Sequence, residues 1–261
     1  RSHDIGERPP GMHVKICGIT NLEDAQMAAD AGADYLGFIF YPPSKRAIEP
    51  EAARDITAVL RSRTDCPLLV GVFVNETAEA IVRILDQCRL DLVQLSGDEV
   101  PFMVGDERSP IFGRAYKALR PASLSVAEAE ADWYLSPQWK SDQSQLSITN
   151  YQLPITNHQS PLPPPSLLID TYHPTLRGGT GETGDWAISA RLARDIPGLM
   201  LAGGLTAENV AAAVRQVRPF AVDVASGVEA YPGKKNPDLV RAFIRNAKKI
   251  DNSPSTIDNM V

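Results

Sequence analysis

The chain has 261 residues, 43% of them hydrophobic and 22% charged, with a formal net charge of −6 at pH 7. That length suits one large α/β barrel or two small domains, and the acidic balance without a dense Lys/Arg block argues against a nucleic-acid binder. No apolar run approaches the ~18 residues of a membrane-spanning helix, and no charged-then-apolar leader marks a secretory signal.

Arg1–Gly11 reads as a leader or remnant ahead of Met12 and is set aside. From His13 onward, short β-type runs alternate with helix-type runs. The predicted strands are His13–Ile19, Tyr35–Tyr41, Leu68–Val74, Leu92–Ser96, Ala115–Leu119, Leu167–Thr171, Leu199–Ala202 and Ala221–Ala225. Between them, Leu22–Ala31, Glu51–Arg61, Glu76–Gln87, Trp186–Arg194, Ala207–Val217 and Pro237–Lys248 have amphipathic character. Val210, Ala213, Val214 and Val217 recur at helical spacing. Thr20 with Glu23 has the spacing of a capping box, and Thr206 is placed to cap the helix that follows it. Strands that each lead into a helix predict a parallel sheet. Eight of them close a (β/α)8 TIM barrel spanning residues 12–250, with an open doubly wound sheet as the rival arrangement.

Lys140–Pro165 breaks this rhythm. It is rich in Ser, Gln, Asn and Pro, and it repeats Ile148–Pro154 imperfectly as Ile155–Pro161. Such composition predicts a disordered or extended insert before strand six, on the barrel face opposite the catalytic loops. Either a tolerated insertion or a partner-binding segment fits it. The tail Asp251–Val261 is also expected to be disordered.

Cys17, Cys66 and Cys88 form no CxxC pair, so neither a disulfide framework nor a zinc site is expected, and a reducing cytoplasm is the default. His3, His13, His158 and His173 lack metal-ligand spacing, so no metal is expected either.

The candidates for chemistry sit at strand ends. Alternation puts Lys15 and Cys17 on one face of the first strand, where an ammonium favours a thiolate fit to act as base or nucleophile. A buried, inert cysteine is the other reading. Asp170 ends an otherwise apolar strand, which suits a proton donor whose pKa is raised, or a loop cap. Asp223 repeats that pattern on strand eight. Arg46, in Ser44-Lys45-Arg46, either grips a carboxylate with two parallel hydrogen bonds or belongs to a solvated loop. The turns Gly203-Gly204 and Ser226-Gly227 follow strands seven and eight, where barrels usually hold phosphate. Arg177–Glu182 reads as a mobile loop over the site.

Taken together, these residues resemble the phosphoribosylanthranilate isomerase family of tryptophan biosynthesis. The matching text is Val14–Thr20, Gly37–Tyr41 with Ser44–Arg46, Gly71–Asn75, Val93–Leu95, Leu168–Asp170, Gly178–Gly181, Ala202–Leu205, Pro219–Val224 and Ser226–Glu229. The likeness runs from about Met12 to Lys249, interrupted by the insert. It implies a (β/α)8 barrel, an Amadori rearrangement of a small phosphosugar substrate, and no cofactor. It also implies Asp170 as general acid and Cys17 as general base, with Lys15, Gln94, Arg46 and Asp223 binding substrate. Arg46 would pair with the anthranilate carboxylate, and the backbone of Gly203, Gly204, Ser226 and Gly227 would hold the phosphate. Neither nucleic acid nor membrane is an expected partner, and the oligomeric state stays open between monomer and homodimer. Two positions depart from the family: Ser96, where a histidine is frequent, and Glu182 with Gly184, where a lysine and a bulky residue are expected. Another phosphosugar barrel enzyme and a silent phosphate-binding protein remain alternatives at this level.

Overall fold

In the computed structural model, residues 11–135, 162–170 and 186–249 are described. Eight parallel strands close into a barrel: β1 His13–Cys17, β2 Tyr35–Ile39, β3 Leu68–Phe73, β4 Leu92–Leu95, β5 Ala115–Leu119, β6 Leu167–Asp170, β7 Leu199–Ala202 and β8 Ala221–Val224. Closure is made by β1 against β8, with Lys15 opposite Asp223. On its other side, β1 runs beside β2 with Cys17 opposite Gly37. The open doubly wound alternative is thereby excluded.

Alternation sorts each strand between two cores. Tyr35, Leu68, Val70, Leu92, Tyr116, Leu168 and Met200 fill the barrel interior. Val14, Ile16, Leu36, Phe38, Leu69 and Phe73 face the helices. The surrounding helices are α1 Leu22–Asp30, α2 Pro50–Leu60, α3 Ala78–Cys88, a single turn α4 Phe102–Gly105, α5 Leu124–Tyr134, α6 Trp186–Asp195, α7 Val210–Val217 and α8 Pro237–Lys248.

Helix starts follow side-chain capping. Asn236 accepts from the N–H groups of Asp238 and Leu239 ahead of α8, and Thr77 accepts from Ala80 N at the start of α3. The expected Thr20–Glu23 capping box does not form. Asn21 caps α1 instead, accepting from Asp24 N at 2.9 Å. Thr20 donates to the Gly233 carbonyl at 2.5 Å, and Glu23 pairs with Lys234 at 2.6 Å. A hairpin that sequence periodicity did not announce, β9 Glu229–Tyr231 with β10 Lys234–Lys235, claims both residues. Thr206 accepts from Glu208 N at 3.3 Å in the turn before α7, so that helix begins at Val210 rather than Ala207.

The expected strands overrun the observed ones at several C-terminal ends. After Cys17 the chain turns at Gly18, whose φ of +78° is a left-handed conformation suited to glycine. Most of the expected insert, the loop Arg177–Glu182 and the two chain ends lie outside the described residues. Pro163, Pro164 and Pro165 do not behave as expected of the insert. They are buried, and the Tyr35 hydroxyl, inside the barrel, donates to the Pro163 carbonyl at 3.1 Å. Leu162 and Phe220 pack on the inner core beside them, so proline here stoppers the barrel floor.

Candidate active site

At the C-terminal ends of the strands the polar side chains meet. The Lys15 ammonium, wholly buried, donates to Gln94 Oε1 at 2.9 Å and to Asp223 Oδ1 at 3.1 Å. The Tyr116 hydroxyl donates to the same Gln94 oxygen at 3.0 Å, and Gln94 Nε2 reaches the Ser96 hydroxyl at 3.1 Å. Residues of β1, β4, β5 and β8 thus form one buried polar network. Burial opposes the charge on Lys15, but Asp223, with Cys17 and Tyr116, more than offsets it and holds the ammonium well above the ordinary lysine value. Burial raises the Asp223 carboxyl against the pull of Lys15, and the charge of Asp170 adds to the rise.

Cys17 is buried at the tip of β1. The nearby Lys15 charge pulls the thiol's pKa down. Desolvation is larger, however, and the thiol ends above its ordinary value. The room it occupies is made by Gly37: a Cβ there would lie 2.8 Å from Cys17 Sγ and 3.2 Å from Lys15 Cε.

Arg46 follows β2 and leans over Gly18, where a Cβ would lie 2.8 Å from Arg46 Cδ. Its two parallel hydrogen bonds run to Glu229, Nε to Oε1 at 2.8 Å and Nη2 to Oε2 at 2.7 Å. The guanidinium is therefore held in the fold and is not part of a solvated loop. Lys235, also wholly buried, donates to Glu229 Oε1 at 3.1 Å and to the Ala225 carbonyl at 3.0 Å. Burial lowers the Lys235 pKa. It raises that of Glu229, but Arg46 and Lys235 together bring the carboxyl below its usual range.

Asp170 ends β6 and accepts from Arg120 Nε at 3.0 Å. Gly203 and Gly204, both at positive φ, turn the chain after β7. A Cβ on Gly204 would meet nothing within 4 Å, whereas one on Gly227 would lie 1.9 Å from the Leu205 carbonyl oxygen. Glycine at 227 is thus what lets the β7 and β8 loops lie against each other, with Ser226 opening the single turn Ser226–Val228.

All ten sequence-predicted site residues sit on the eight strands or the loops at their C-terminal ends. Gly37, Glu229, Lys235, Tyr116 and Arg120 carried no role in the sequence reading. Gly37 and Glu229 lie inside recognisable motifs, and Lys235 follows the turn signal Pro232-Gly233, but their contacts depend on partners distant in sequence. Among the described residues no cluster of three or more His, Cys, Asp or Glu is arranged to hold a metal ion, and no helix is long and apolar enough to cross a membrane.

The sequence profile of a family described as N-(5'phosphoribosyl)anthranilate (PRA) isomerase matches residues 14–128 and 154–246. An N-(5'-phosphoribosyl)anthranilate isomerase of Trichlorobacter lovleyi is 43% identical over 236 residues, covering 90% of this chain and 98% of the relative. The crystal structure of the Thermotoga maritima phosphoribosyl anthranilate isomerase superposes with a TM-score of 0.70 at 38% identity, covering 90% of this chain and 98% of that one. A phosphoribosyl anthranilate isomerase crystallised with reduced 1-(o-carboxyphenylamino)-1-deoxyribulose 5-phosphate matches with a TM-score of 0.65 at 34% identity, covering 90% and 98%.

Proposed function

The chain belongs to the N-(5'-phosphoribosyl)anthranilate isomerase family, and from that membership we propose a role for each group at the mouth of its barrel. The enzyme is an isomerase of tryptophan biosynthesis that converts N-(5-phosphoribosyl)anthranilate to 1-(2-carboxyphenylamino)-1-deoxyribulose 5-phosphate. The conversion is internal: hydrogen leaves C2 of the sugar and arrives at C1, and no external oxidant enters.

Asp170 gives a proton to the furanose ring oxygen, the C1–O bond breaks, and the open sugar carries a protonated Schiff base at C1. Cys17, as thiolate, takes the proton from C2, and the electron pair moves into the C1–C2 bond to give an enolamine. Protonation at C1 and loss of the C2 hydroxyl proton complete the ketone. An acid and a base on different strands can flank a small sugar, each contributing about 10²–10⁴ in rate. Lys15 lies against the sulfur and lowers the cost of the thiolate as it forms, with Gln94 and Asp223 fixing the ammonium. Asp223 also orients substrate hydroxyl or amine groups. Glu229 takes the Nε/Nη2 edge of Arg46, so the anthranilate carboxylate would meet the Nη1 side. The backbone of Gly203, Gly204, Ser226 and Gly227 would hold the phosphate, since glycine lets amide groups approach closely. Three free cysteines support a cytoplasmic location.

The observation that carries this reading is the cysteine at the tip of β1, sharing the space over Gly37 with a buried lysine, at a barrel mouth that also holds Asp170. The decay of anthranilate-type fluorescence on adding the protein tests it. Cys17→Ala and Asp170→Asn should each slow turnover by about 10²-fold or more with thermal unfolding unchanged. Near-normal turnover in either variant removes that residue from the mechanism.

A further inference from the structure

Glu229 touches neither of the two groups assigned to proton transfer, yet it is buried at the mouth with four donors on one carboxylate. Arg46 gives two hydrogen bonds at 2.8 and 2.7 Å, Lys235 gives one at 3.1 Å, and Gly233 N gives one at 3.3 Å. The hairpin that presents it is pinned in turn. Lys235 N donates to Asp24 Oδ2 at 2.7 Å, Lys234 pairs with Glu23 and Asp24 at 2.6 and 2.8 Å, and Thr20 holds the Gly233 carbonyl. Glu229 therefore stands on a rigid support anchored to the first turn of α1. Its carboxylate occupies one whole edge of the Arg46 fork, which fixes the plane of the guanidinium and the direction of its remaining edge. Arginine binds a carboxylate well only when that plane is set in advance, because ordering a long side chain costs free energy at the moment of binding.

We propose that Glu229 is a positioning residue for recognition of the substrate's aromatic carboxylate: it holds Arg46 with its Nη1 edge turned to the ligand, so that selectivity for an acid-bearing arylamine depends on a residue that does not itself touch the acid. The inference rests on the assignment of Arg46 to that carboxylate. Charge repulsion offers no alternative role, since a bare carboxylate at this place would disfavour the ligand's own. The gain lies in the geometry imposed on the arginine, with Lys235 balancing part of the negative charge.

Two probes test it: reduced 1-(o-carboxyphenylamino)-1-deoxyribulose 5-phosphate, and the same compound without the ring carboxylate. The wild-type enzyme should bind the first more tightly. Glu229→Gln keeps the volume but turns an amide N–H toward the guanidinium or surrenders one hydrogen bond. It should weaken the carboxylate-bearing probe about tenfold or more, in line with loss of a charge-assisted pair, and the carboxylate-free probe less than about threefold. In turnover, KM should rise more than kcat falls. Glu229→Asp, which retains the charge but retracts it, provides a second variant should the amide fail to fold, with the same selective loss expected. Equal weakening of both probes would show that Glu229 merely supports the fold, and unchanged binding of both would show that Arg46 needs no support; either result overturns the proposal. Arg46→Met separates the two readings. If it binds both probes as the wild type does, the carboxylate assignment itself is wrong. If it loses the discrimination while both Glu229 variants keep it, only the positioning role fails.

Discussion

Gly37→Ala offers a close test of how tightly the barrel holds its sulfur. The Cβ of alanine would lie 2.8 Å from Cys17 Sγ, 3.2 Å from Cys17 Cα and 3.2 Å from Lys15 Cε. Comfortable contact between such atoms begins near 3.5–4.0 Å, so the sulfur must retreat by about 1 Å. Gly37 pairs with Cys17 in the sheet, which leaves the backbone little freedom to absorb the shift. A base misplaced by about 1 Å can lose about 10²-fold in rate, equal to about 2.7 kcal/mol of barrier. Overpacking would also cost about 1–3 kcal/mol of stability. Gly71→Ala supplies the control. Its Cβ would lie 2.6 Å from Phe73 Cε2 and 3.1 Å from Leu90 Cδ1, outside the barrel wall. That variant should be destabilised to a similar degree while its kcat stays within about threefold, since no atom of the site moves. Turnover by fluorescence decay, read beside the thermal midpoint, decides the matter. Equal activity in the two variants would refute the claim that Gly37 exists to seat the thiol.

Because burial holds the Cys17 thiol above its ordinary value and the base we propose is its thiolate, kcat/KM should climb with pH from about 7 to about 9. A profile flat across that window would exclude a thiol base. At the barrel floor, Asp34 accepts from Val14 N at 2.8 Å and pairs with Lys248 at 2.9 Å. Burial tends to raise its pKa, but hydrogen bonds from His13 and Lys248, the charge of Lys248 and the Val14 amide bring it below 3.8. Its stabilisation is therefore complete above the unfolded-state value and is lost as pH falls through the depressed one. Asp34→Asn should lower unfolding free energy by about 1–3 kcal/mol at neutral pH, with the difference closing in acid and turnover unchanged. A gap that persists in acid would contradict this account. Removing residues 141–160 should leave turnover within about threefold, because the described residues on either side of it, Leu135 after α5 and Leu162 before β6, lie on the side of the barrel away from the site. Extending the deletion through Pro165 should lower the thermal midpoint, since it strips the Tyr35 hydroxyl of its acceptor. A full-length midpoint in the longer deletion would show that the proline stopper carries no weight.

The eight strands were legible in the sequence because a barrel strand buried on both faces must be a short apolar run, and because turn residues punctuate such runs. Cys17 and Asp170 stood out for the related reason that a reactive or charged group at the end of an apolar run has no packing purpose. Element ends were less legible. Thr20 and Glu23 have the composition of a capping box, yet a hairpin more than two hundred residues away recruits both. The three prolines 163–165 have the composition of a disordered insert, yet they stopper the barrel.

What the sequence determined by itself was the alternation of strand and helix, the identity of the groups at the strand tips and the family to which they belong, all consequences of local pattern. The tertiary structure alone decided which distant groups meet. Lys15 finds Asp223 across 208 positions, and Arg46 finds Glu229 across 183. Closure of the barrel brings the first strand beside the last, and burial then sets the charge state of what it encloses. Neither the contact nor the desolvation exists in any short stretch of chain, which is why the thiol's raised pKa, the seat made by Gly37 and the clamp of Glu229 on Arg46 appear only in the folded molecule.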